Sequence, residues 1–74
     1  MTRLPAVTPK KLVAILLRKG FLVRRQRGSH LRLFNPVTNR QTVVPIHPGT
    51  LPRGLLNAIL KRAGISDHEF QQLC

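Results

Sequence analysis

Between two stretches of helical periodicity lies a segment in which polar and apolar residues alternate, His30-Leu31-Arg32-Leu33-Phe34. Successive strand side chains point to opposite faces, so Leu31 and Leu33 share one face and His30, Arg32 and Phe34 the other. A slip of one residue would bury His30 and expose both leucines. The chain must therefore cover one face of a sheet and leave the other open. Residues Phe21 to Arg27 read as the preceding strand, turned by Gly28-Ser29. Asn35-Pro36-Val37-Thr38-Asn39 is loop composition, and Gln41 to Ile46 is a third strand whose Pro45 marks an edge or a strand end. Connections this short favour an antiparallel meander over parallel pairing.

The cover comes from the flanks. Thr8 can cap a helix and Pro9 suits its first position. Leu12, Ile15 and Leu16, flanked by Val13 and Leu17, mark one face, and Gly20 stops the helix with Phe21 closing over its last turn, so the helix is expected over 9–19. After the His47-Pro48-Gly49 turn a second helix begins near Thr50 or Pro52. Leu55, Leu56, Ile59, Leu60 and Ala63 form its stripe, and Gly64 ends it. Leu12, Ile15, Leu16, Leu55, Ile59 and Leu60 are the expected core. Ser66-Asp67-His68-Glu69 has the form of a capping box for a final turn or two, which Phe70 and Leu73 could tuck back onto the body. The reading is α+β: α-β-β-β-α, a three-stranded antiparallel sheet with two helices on one face and a short C-terminal helical turn. Residues 1–74 are expected to make one domain, with 1–7 as an N-terminal arm.

Charge narrows the function. The 74 residues carry 13 Lys+Arg against 2 Asp+Glu, a formal net charge of +11. Both acids, Asp67 and Glu69, lie near the C-terminus, so residues 1–66 contain no carboxylate side chain. Two-metal phosphoryl transfer, carboxylate-pair glycosidases and Ser-His-Asp hydrolases all lose required groups. With no Tyr or Trp and three Phe, a platform for stacking bases is thin. The single cysteine, Cys74, allows neither an intrachain disulfide nor a cysteine zinc site, and it fits a reducing, cytoplasmic setting. No apolar run reaches the ~20 residues of a membrane span, and none has the form of a signal peptide. A basic module that meets a polyanion remains, with nucleic acid the first candidate and an acidic protein or anionic membrane the second.

A set of motifs at fixed spacing adds to this: Gly20-Phe21 after a helix, Gly28-Ser29-His30 opening a strand, Val44-Pro45-Ile46-His47, then Gly49-Thr50-Leu51 leading to Ile59-Leu60-Lys61-Arg62-Ala63-Gly64-Ile65. Gly-Ser-His alone is a weak signal, but the spacing makes the set specific. Over about residues 8–73 the chain resembles the HicA family of small toxins, also called YcfA-like proteins, from toxin–antitoxin pairs. The resemblance implies a fold like that of a double-stranded-RNA-binding domain. It also implies ribosome-independent endoribonucleolytic cleavage of mRNA, and a HicB antitoxin that covers the active face. It places the active-site histidine at His30. Many members carry a second histidine directly after this one, where Leu31 stands here. The segment Pro52-Arg53-Gly54 also lacks the lysine cluster of a typical double-stranded-RNA-binding domain, so shape readout of an A-form duplex does not carry over.

Cleaving RNA without a metal needs a base for the 2′-OH proton, an acid for the 5′-oxygen and cations for the phosphorane. Histidine suits both proton transfers near neutrality. Arg24, Arg25, Arg27 and Arg32, with Gly28 and Ser29 of the turn, are the candidate RNA contacts. His47, after the third strand, is a possible second catalytic residue, against a simpler role in fixing the Pro48-Gly49 corner. No metal or cofactor is expected. The expected partners are an mRNA substrate and a HicB-like antitoxin, with no membrane. The competing reading is a non-catalytic nucleic-acid-binding module using the same sheet face.

Overall fold

Thr8 begins the first helix, α1 (Pro9–Arg18), by accepting the Lys11 N–H at its side-chain oxygen (3.2 Å). The helix closes through two reversed bonds, Gly20 N–H to Leu17 O (3.1 Å) and Phe21 N–H to Leu16 O (3.0 Å). This closure needs a left-handed residue between the helix and Phe21, and Gly20 supplies it at φ 96°. Phe21 is thereby pulled into the core, 2% exposed, before the chain extends. The second helix, α2 (Arg53–Ala63), ends in the same way, with Gly64 N–H to Lys61 O and Ile65 N–H to Leu60 O.

The computed structural model describes residues 4–74. Three strands, β1 (Leu22–Arg27), β2 (His30–Asn35) and β3 (Arg40–Pro45), form an antiparallel sheet in the order β1-β2-β3. Leu31, Leu33 and Val44 are buried under the helices, whereas His30 and Arg32 are exposed on the other face. Both helices thus cover one face, as the alternation requires. Two polar side chains are buried with the core, and each is satisfied. Thr42 Oγ1 donates to Ile59 O (3.3 Å). Asn35 Nδ2 donates to Lys19 O (3.2 Å), and its Oδ1 accepts from Val37 N–H (2.9 Å). That clamp ties the end of α1 to the β2–β3 loop, and it explains why β2 runs on through Asn35.

Two expectations change, for Leu55 and for the N-terminal arm. Leu55 does not belong to the core: it is 38% exposed, and the stripe that α2 buries is Leu56, Ile59, Leu60 and Ala63. The apolar run Leu55-Leu56 offered two phases for the stripe, and packing selected the later one. The helices also leave β1 uncovered, and all six of its residues are exposed. Of the expected arm, residues 1–3 lie outside the described residues. Leu4 and Val7 are buried, and Val7 O accepts the Leu51 N–H (2.9 Å), so this part is packed chain.

The last helix, α3 (Asp67–Leu73), is capped by Ser66, whose Oγ accepts the Glu69 N–H (3.1 Å). Phe70 is fully buried. The Glu69 carboxylate pairs with Lys19 Nζ at the end of α1, so α3 is held on the body by packing and by charge.

Candidate functional site

The Gly28-Ser29 turn joins β1 to β2 with only two residues, Arg27 pairing with His30. A two-residue hairpin with positive φ at its first position favours glycine, and Gly28 has φ 58°. Ser29 O accepts the Ile46 N–H (2.6 Å), which fastens the turn to the end of β3. His30 is consequently the first residue of the central strand, with β1 on one side and β3 on the other. Paired residues project to the same face, so Arg27 and Arg25, opposite His30 and Arg32, stand on the open side.

Arg24 reaches that side by a different route. Val23 pairs with Leu33 and Arg25 with Arg32, so Arg24 is the extra residue of a bulge. Its guanidinium lies over the Phe34 ring, 5.0 Å from the centroid. Strict alternation would have sent Arg24 to the face opposite Arg25 and Arg27. With the bulge, Arg24, Arg25, Arg27 and Arg32 line one groove of about 610 Å³ together with His30 and Val43. The sequence carries only a trace of this, and the pairing with β2 supplies the rest. Leu22-Val23-Arg24-Arg25 breaks the period of two, while a two-residue turn sets the pairing at its far end. The apolar wall contributed by Val43 and the Phe34 shelf under Arg24 were not anticipated.

The other expected site residues fall into place around the groove. Gly28 and Ser29 are exposed at the turn beside His30. His47 lies two residues beyond Pro45, the partner of His30 on β3, and is not among the groove-lining residues. Its Nδ1 is 2.9 Å from Pro48 O, within hydrogen-bonding distance of the corner. Leu31 is 8% exposed on the helix side, so its side chain faces away from the groove.

Four guanidinium groups on one face have no carboxylate among them, since the ion pair found among the described residues is Lys19–Glu69. A phosphate chain laid in the groove would replace their mutual repulsion with charge-assisted hydrogen bonds. No group of three or more His, Cys, Asp or Glu residues that could hold a metal stands together among the described residues. Nor is any helix among them long and apolar enough to cross a membrane.

A family model described as the HicA toxin of bacterial toxin–antitoxin matches residues 9–65. The match begins at the first residue of α1 and ends just past α2, leaving α3 outside it. No curated protein matches the chain.

Proposed function

The chain belongs to the HicA toxin family, and from that premise we propose that it is a metal-independent endoribonuclease that cuts mRNA at His30 and is neutralised by a HicB-type antitoxin. The observation that carries the reading is the meeting of one imidazole and four guanidinium groups in a single open groove. His30 takes the proton of a ribose 2′-OH as that oxygen attacks the adjacent phosphorus. The P–O5′ bond breaks, leaving a 2′,3′-cyclic phosphate on one fragment and a 5′-hydroxyl on the other. Arg25, Arg27 and Arg32 hold the phosphate oxygens as charge builds, and Arg24 holds the strand further along. Gly28 and Ser29 leave the approach to His30 free of large side chains.

The leaving 5′-oxygen takes its proton from water or from His47 once the strand is bound, and His47→Ala separates the two. A loss of about 10²-fold in cleavage would assign the acid role to His47. Unchanged cleavage would assign it to solvent. An antitoxin with an acidic surface would be steered to the same basic face, so inhibitor and substrate would compete for the groove.

The test is single-turnover cleavage of a long mRNA in EDTA by the wild type and by His30→Ala. The expected result is cutting by the wild type, with cyclic-phosphate ends, and none by a variant that still binds RNA. If neither protein cuts while both bind equally, the groove is a nucleic-acid-binding surface without catalysis.

A further inference from the structure

Leu55 is an apolar residue of α2 that the buried stripe leaves unexplained. It lies with Ala58 and Arg62 at i, i+3 and i+7, along one flank of the helix. That flank and the edge strand β3 enclose a second cleft of about 350 Å³, lined by Thr42, Val43 and Pro45 on the strand side and completed by His30. His30 and Val43 line both this cleft and the arginine groove, so the two meet at the histidine.

The chemistry of the cleft differs from that of the groove. Leu55, Ala58 and Pro45 offer apolar contact, and Arg62 brings a guanidinium to the lining. No carboxylate pairs with Arg62 among the described residues. The edge of β3 adds backbone groups. Ile46 N–H bonds to Ser29 O in the turn that opens β2, so by antiparallel alternation Val44 and Thr42 also direct their peptide groups to β2, and Val43 directs its own outward. Pro45, at the same parity as Val43, has no N–H, which breaks the run of donors that an added peptide strand would need.

We propose that this cleft is a nucleobase subsite. With a phosphate among the arginines beside His30, the neighbouring base turns over Val43 into the cleft. There it packs against Leu55, Ala58 and Pro45 and meets the Arg62 guanidinium. Unstacked RNA bases are recognised in this manner, by stacking on apolar or guanidinium surfaces and by hydrogen bonds to their edges. The Arg62 fork favours an edge with two adjacent acceptors, such as O6 and N7 of guanine. The inference takes its ligand from the RNA-cleaving reading above and adds a source of sequence preference, which the arginine groove lacks.

The test uses 2′-O-methyl oligonucleotides, which cannot be cleaved because the attacking hydroxyl is blocked, with an abasic residue at each position in turn. Binding is measured for the wild type, Ala58→Leu, which fills the cleft, and Arg62→Gln. The expected result is one position at which loss of the base weakens wild-type binding about tenfold, with that sensitivity gone in both variants. Cut sites on a long RNA should then change in nucleotide preference at the same position. The proposal is overturned if no abasic position matters, or if all three proteins respond alike. It is equally overturned if the variants bind RNA as the wild type does but release the antitoxin, which would give the cleft to a protein partner. If base-sensitive binding persists while no protein cuts RNA, the ribonuclease reading falls and the subsite stands.

Discussion

His30 owes its exposure to its two neighbours. Gly28 lets the turn close in two residues, and Leu31 binds the strand to the core, so the imidazole begins β2 on the open face. Asn35 does comparable work at the other end of the strand. Replacing it with alanine leaves Lys19 O and Val37 N–H without their partner in a region that is 5% exposed at Asn35. Asn35→Ala should cost about 1–3 kcal/mol in urea unfolding without touching the groove. Unchanged stability would mean that water replaces both bonds.

At the scale of the element, β1 is unusual in burying none of its side chains. Its place depends on backbone pairing with β2 and on the two-residue turn, so its amides should exchange hydrogen faster than those of β2. Deleting Arg24 tests the bulge directly. The pairs Val23–Leu33 and Arg25–Arg32 can then follow one another without interruption, so cross-strand contacts in NMR spectra should keep the same partners. A shifted register would show that Arg24 itself sets the pairing. The α3 helix makes a contrasting case, because it lies outside the family match yet buries Phe70 completely. Phe70→Ala should cost about 3–5 kcal/mol, a large share of the stability of so small a domain. A loss below 1 kcal/mol would make α3 an appendage.

For the whole molecule the net charge of +11 sets two opposite salt dependences. Cations that repel one another in the folded state are screened by salt, so the melting temperature should rise with ionic strength. RNA binding should weaken over the same range. If the four groove arginines each engage one phosphate of a single strand, log K should fall against log salt with a slope of about −3. A slope near zero would remove the groove from phosphate recognition. Parallel changes in stability and affinity would place the charge effects outside both processes.

Much of this was legible in the residues themselves. The alternation of His30 to Phe34 determined which side chains face solvent, because a strand has a fixed period of two. Thr8-Pro9, Gly20-Phe21 and Gly64-Ile65 marked the helix ends, because capping depends on local backbone geometry. The absence of acids before Asp67 left a polyanion as the natural partner. Tertiary structure decided matters that depend on contacts distant in sequence. The pairing of β1 with β2 made Arg24 a bulge and brought four arginines to one side. The packing of α2 on β3 chose Leu56 over Leu55 for the core, leaving Leu55 to line a cleft beside His30. A single segment cannot encode either choice, since both depend on where a second element lies and how its backbone and side chains meet the first.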